Sequence, residues 1–118
     1  MGKPIYIIPR KRIVIKDGKS VSGEVCNVKT IEEYIIKIAK NIEFIGAINF
    51  QAFVNLCGDV SFIEVNPRLG GGTALSFAAS ENWVNLMISN LVLNQPIKAK
   101  PIKYGLKMSR SYSEVYFF

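Results

Sequence analysis

The chain has 118 residues, 49% of them apolar, and a formal charge of +6 with no histidine. That length and apolar fraction suit one domain burying roughly two-thirds of its unfolded surface. The lack of histidine excludes Ser-His and Cys-His nucleophile pairs, His-ligated zinc and imidazole bases, so any chemistry must run on carboxylates, amides, arginine, lysine or a metal.

Residues 5–8 and 13–15 have strand composition, and Asp17-Gly18-Lys19 reads as a hairpin turn into a strand at 21–25. Between them, Arg10-Lys11-Arg12 reads as a solvated strand edge protected by charge rather than a phosphate contact. Gly18-Lys19-Ser20 is not a P-loop, because Ile13 stands where that motif needs a glycine and no helix follows. Thr30 and Glu33 form a capping-box pattern, and Ile31, Tyr34, Ile35, Ile38 and Ile42 recur at helical spacing. This predicts a helix packing on a sheet, with Glu32, Lys37 and Lys40 turned to water.

Residues 48–56 alternate as a strand, interrupted by Phe53, and a second strand runs over 60–66. With Gly58-Asp59 as a two-residue turn, Gln51 lies opposite Asn66 and Phe53 opposite Glu64. Gln51, Glu64 and Asn66 then share one face, an arrangement that a slip of one residue would destroy. Residues 74–79 suggest a helical turn and 81–93 a helix with Ser80 as cap and Asn94-Gln95-Pro96 as stop. A basic linker-like stretch at 98–103 and two final strands at 104–108 and 114–118 complete an α+β domain over 1–118, a mostly antiparallel sheet packed by two main helices. Trp83, Phe77, Leu86 and Met87 read as core.

Residues 62–73 carry the chemistry: Phe-Ile-Glu-Val-Asn-Pro-Arg-Leu-Gly-Gly-Gly-Thr. Glu64 and Asn66 leave the same face of a strand. A carboxylate beside an amide oxygen suits a hard cation such as Mg²⁺, which takes few protein oxygens and keeps other positions for water and phosphates. Arg68 follows past a turn, and its planar fork matches phosphate or carboxylate. The plain alternative is a turn, a flexible glycine connection and a structural Glu64–Arg68 ion pair.

Cys26 and Cys57 stand in no metal spacing and read as reduced, partly buried thiols. With no run of about 18 uncharged apolar residues and no charged-then-apolar leader, neither a membrane span nor a signal peptide is expected, and the expected location is cytoplasmic. The basic charge suits an anionic partner, yet no aromatics interleave with the basic run as single-strand stacking platforms require.

The run Gly-Ala-Ile-Asn-Phe-Gln-Ala-Phe-Val (46–54), the hairpin after it and the 62–73 segment together resemble the C-terminal half of an ATP-grasp domain, of the type found in the carbamoyl-phosphate synthase large subunit and related carboxylate–amine ligases. Ala-Leu-Ser-Phe-Ala-Ala (74–79) and Leu-Val-Leu-Asn-Gln-Pro-Ile (91–97) continue the likeness. The resemblance implies that ATP phosphorylates a carboxylate and that an amine or ammonia displaces the phosphate. It implies ATP and Mg²⁺ as cofactors, with Mn²⁺ as a substitute. Glu64 and Asn66 would bind the metal bridging the phosphates, and Gln51 would occupy the place of the upstream metal ligand. Arg68 would be catalytic, stabilising the transferring phosphoryl group, and Gly70, Gly71 and Gly72 would let backbone approach the acceptor. The family's preceding lobe, with its adenine pocket, phosphate-binding lysines and mobile glycine loop, does not fit in this length. The expectation is a part that is inactive alone, whose partners are the missing N-terminal lobe, ATP and a small carboxylate substrate. The rivals are a non-catalytic interaction or homo-oligomerisation module and a basic nucleic-acid binder.

Overall fold

Residues 2–16 split into an arm without regular structure and a strand, and the arm is held by side chains rather than by a ladder. In the computed structural model, which describes residues 2–16, 19–111 and 113–118, β1 (Arg10–Lys16) pairs antiparallel with β2 (Lys19–Val25), Arg10 opposite Val25. The predicted turn residues Asp17 and Gly18 lie outside the described residues. The strand expected at 5–8 is absent: the chain bends at residue 5 and residues 6–8 join no ladder among the described residues. Its anchor is Tyr6, whose hydroxyl donates to Glu81 Oε1 and accepts from the Lys100 amide at 2.7 Å, while Lys100 Nζ lies 3.5 Å from Glu81 Oε2. The 98–103 stretch is thereby tied to the arm. Burial first, then the hydrogen bond from Tyr6 to Glu81, pushes the Tyr6 phenol above its usual range. A raised phenol contributes stability that is present below the unfolded value and lost as pH rises through the folded one. Ultraviolet titration at alkaline pH should therefore show Tyr6 ionising later than in Glu81→Gln, with identical curves counting against the contact.

Helix α1 (Lys29–Asn41) starts earlier than the capping box predicts. Val28 is the cap and offers no side-chain bond, and Glu32 N reaches Val28 O at 3.2 Å, so Thr30 is already inside the first turn. Glu32 accepts from the Tyr104 hydroxyl at 3.3 Å. Tyr34 meets Phe62 edge-on at 6.1 Å, which sets the helix against the next hairpin.

That hairpin is β3 (Asn49–Val54) with β4 (Val60–Asn66). Its register differs from the predicted one: Gln51 faces Glu64, Asn49 faces Asn66 and Phe53 faces Ser61, with an irregularity between Gln51 and Ala52. The cause is the loop. Asn55 and Asp59 close it from both sides, through Asn55 N to Asp59 O at 3.0 Å, Asp59 N to Asn55 Oδ1 at 2.9 Å and Asn55 Nδ2 to Asp59 Oδ2 at 2.8 Å. Gly58, at φ 88°, supplies the left-handed residue that this wider loop needs. Gln51 has slipped by two positions against β4 relative to expectation, so Gln51, Glu64 and Asn66 keep one face, while past the irregularity the shift is three and Phe62 turns to the other face. Phe50 and Phe62 meet on the opposite face at 5.8 Å.

After the glycines come α2 (Thr73–Ala79) and α3 (Trp83–Met87), the latter continuing into a π-helical turn over Ile88–Val92. The cap of α3 is Asn82, whose Oδ1 accepts from Val84 N and Asn85 N. Ser80 bonds back to Ser76 O at 2.7 Å and accepts from Trp83 Nε1 at 3.0 Å instead. Of the two predicted final strands only β5 (Lys107–Ser109) forms, on β2, and residues 104–105 turn at Gly105 (φ 81°). Residues 114–118 are in no strand, and Tyr112 lies outside the described residues.

The first sheet runs β1-β2-β5 and the second is β3-β4, both antiparallel, so the fold is α+β. Among the described residues Val25, Leu75 and Ala79 form the buried core, packed by Ile8, Ile102, Leu106 and Met108. This core is smaller than the composition predicts. The accessible surface is 8772 Å², against about 6,400 Å² for a compact monomer of this mass. Roughly half of the unfolded surface is therefore buried, not two-thirds. Phe53, Ile45 and Leu56 stand out at 72%, 74% and 107% exposure. Cys57 is exposed rather than partly buried, and Cys26 is intermediate; both are free. No helix among the described residues is long and apolar enough to cross a membrane.

Candidate functional site

Alternation along β3 and β4 sets the site. Asn49 and Gln51 leave β3 on one face, and their cross-strand partners Asn66 and Glu64 leave β4 on the same face. Asn66 Nδ2 donates to Glu64 Oε1 at 2.8 Å. This bond orients the amide so that Asn66 Oδ1 and the second carboxylate oxygen remain as acceptors. Glu64 is exposed, so the desolvation argument for a partner does not apply to it, while Gln51 and Asn66 are half-buried.

Past the strand, Arg68 N bonds Asn66 O at 2.8 Å and turns the chain. The Arg68 guanidinium donates to Leu69 O at 3.1 Å. The Glu64–Arg68 ion pair does not form among the described residues, where the ion pair present is Lys100–Glu81. Thr73 then closes the glycine loop from both sides: its Oγ1 donates to Gly70 O at 2.6 Å and accepts from Gly70 N at 2.8 Å. Thr73 is buried, which fixes where the loop ends and α2 begins.

The space beside two of the glycines is filled by the protein itself. A Cβ on Gly70 would lie 3.0 Å from Asn49 Cγ, and one on Gly72 would lie 2.5 Å from Arg10 Nη1; beside Gly71 there is nothing within 4 Å. Arg10 Nη2 donates to Asn49 Oδ1 at 2.8 Å. Arg10 Nη1 is buried without a hydrogen-bond partner. Burial first, then the charge of Arg12, lowers the Arg10 guanidinium from its usual range. Arg110 donates to Gly71 O. An open concavity of about 1330 Å³ is lined by Arg10, Asn49, Gln51, Arg68 and the three glycines, among others; Glu64 and Asn66 do not line it.

The structure thus brings Gln51 and Glu64 together across the ladder, holds Asn66 on Glu64, and sets Arg68 at the head of the glycine loop. It adds Asn49 and Arg10. Asn49 shares the parity of Gln51 and joins the site once the observed register is known. Arg10 reads from sequence as a solvated edge, and no local signal marks it as inward, because the pairing of β1 with β2 and the glycine loop 60 residues on create its environment.

The donor set is of hard oxygens with a single negative charge: Glu64, the Asn66 carbonyl oxygen and the Gln51 amide across the strand. Among the described residues no three acidic, cysteine or histidine side chains group together. Such a set fits a Mg²⁺ that leaves most positions to water and phosphate oxygens, and does not fit an all-protein cage.

The family model described as "ATP-grasp in the biosynthetic pathway with Ter operon" matches residues 1–113. No curated protein matches the chain.

Proposed function

We propose a function from one premise: the chain belongs to the ATP-grasp family. On that premise it is the C-terminal lobe of a carboxylate–amine ligase of the carbamoyl-phosphate synthase type, supplying metal, ATP-phosphate and acyl-phosphate contacts. The observation that carries the reading is the Glu64–Asn66 pair opposed by Gln51, with Arg68 one turn beyond.

In the reaction, a carboxylate oxygen of the acceptor attacks the γ-phosphorus of ATP as the bond to the β–γ bridging oxygen breaks, and ADP leaves. An amine or ammonia then attacks the acyl carbon and phosphate departs. Glu64 and Asn66, with Gln51 opposite, would hold Mg²⁺ or Mn²⁺, whose charge would neutralise the phosphate oxygens. Phosphoryl transfer asks mainly for positioning and charge neutralisation, so a site without histidine suffices. Arg68 is exposed and, among the described residues, its guanidinium bonds a neighbouring carbonyl, which leaves its fork able to turn to a phosphoryl oxygen. The chain is proposed to be inactive without a second lobe carrying the adenine pocket.

Titration with Mg²⁺-ATP, followed by amide NMR shifts, tests this. Shifts at Gln51, Glu64, Asn66 and Arg68 that vanish in Glu64→Ala and Arg68→Ala are expected. No shift at millimolar nucleotide, in this chain or in a longer one with the second lobe, would reject it. A second reading, a non-catalytic interaction module, is favoured by the excess apolar surface around Phe53 and Leu56. Concentration-dependent dimerisation without nucleotide binding would support that one.

A further inference from the structure

We infer that Arg10 and Arg110 join Arg68 in an oxyanion site built around the loop of Gly70, Gly71 and Gly72, with Arg10 as its inner wall. The inference rests on the ligase reading only for the identity of the oxyanion, the acceptor's carboxylate or a phosphoryl group, and not for the existence of the site.

Three guanidiniums meet one short loop. Arg68 donates to Leu69 O, Arg110 to Gly71 O, and Arg10 Nη1 lies against Gly72. Among the described residues none of the three forms an ion pair, although carboxylates are their usual partners. Two use neutral carbonyls, and the third keeps a buried donor with no acceptor. An orphaned donor of this kind is uncommon and costly, and it calls for an acceptor that arrives from elsewhere. A guanidinium and an oxyanion carry opposite charges and can pair through two parallel bonds, which a single carbonyl cannot offer, so an arriving anion competes with the carbonyl partners.

The rest of the site is arranged for Arg10. Asn49 Oδ1 holds its other amino group at 2.8 Å, fixing the plane of the fork. Gly72, lacking a Cβ, lets the guanidinium lie against the backbone. Water does not reach Nη1 while Gly72 covers it. Binding therefore requires Gly72 or the guanidinium to shift, so both should report it.

The experiment titrates the chain separately with inorganic phosphate and with acetate, at constant ionic strength made up with chloride, following the Gly71 and Gly72 amides and the arginine side-chain N–H signals. Saturable phosphate shifts at Arg10 and Gly72 are expected, about tenfold weaker in Arg10→Lys, because a point charge cannot replace the planar fork. Comparable shifts with acetate would assign the site to a carboxylate, and shifts with phosphate alone to a phosphoryl group. Arg10 and Gly72 signals that stay fixed under both anions in the unmodified chain would overturn the inference, even if Arg68 responds. Because that measurement needs no variant, misfolding of Arg10→Lys cannot rescue it. Phosphate shifts at Arg10 without any Mg²⁺-ATP response at Glu64, both in this chain and in a longer one with the second lobe, would preserve this site and remove the ligase reading.

Discussion

Replacing Leu75 with alanine should destabilise the chain by about 2–4 kcal/mol, the usual range for a buried leucine. Leu75 is 2% exposed and stands with Val25 and Ala79 in the buried apolar core of the described residues. The vacated volume lies where α2 meets β2 and where residues 102–108 cross them, Lys103 N bonding Ala79 O at 2.9 Å and Val25 N bonding Leu106 O at 2.9 Å. Those backbone bonds resist collapse into the cavity, which places the cost toward the upper end. With a urea slope of about 1.5 kcal/mol per molar for a domain of this size, the midpoint should fall by roughly 2 M. Leu56→Ala is the control: at 107% exposure it should change stability by less than about 0.5 kcal/mol. Equal effects of the two substitutions would mean that the apolar surface around Leu56, not the Leu75 cluster, holds the fold.

The small core also explains which parts of the fold can be read from sequence. Elements whose signal is local are legible: the 3.6-residue stripe of α1, the β3–β4 hairpin and the Glu64–Asn66 spacing that aims both side chains to one face. Even the wrong turn at Gly58-Asp59 leaves Gln51, Glu64 and Asn66 on one face, because Gln51 slips by an even number of residues, whereas Phe53 slips by three and loses its predicted place opposite Glu64. What is not legible comes from distant partners. The apolar run at 5–8 has strand propensity but finds no neighbouring edge, and Tyr6 fastens it through Glu81 and Lys100. Residues 114–118 are as apolar as a strand, yet they join no strand among the described residues. Arg10 sits in a tripeptide of charges that predicts exposure, and only its packing against Gly72 and Asn49 turns it inward. The geometry of the candidate site is therefore legible as far as one hairpin carries it, and hidden where a second sheet contributes.

Gly72→Ala should cost about 1–3 kcal/mol as an overpacking change, and the cost should depend on Arg10. The new Cβ would lie 2.5 Å from Arg10 Nη1 and 3.2 Å from its Cζ, so the guanidinium must move. A free arginine would swing aside at little cost. This one is held through Nη2 by Asn49, and Asn49 is itself backed by Gly70, where an added Cβ would come within 3.0 Å. Moving Arg10 breaks the bond to Asn49 and leaves both groups short of partners. Gly71 supplies the contrast: with nothing within 4 Å, Gly71→Ala should be neutral or raise stability by up to about 1 kcal/mol through the unfolded chain. Chemical denaturation of Gly72→Ala, Arg10→Ala and the double variant closes the cycle, and the double should cost less than the sum of the singles by more than about 0.5 kcal/mol. If Gly72→Ala costs the same with and without the arginine, the penalty is in the loop backbone, and Arg10 is not what the missing side chain makes room for.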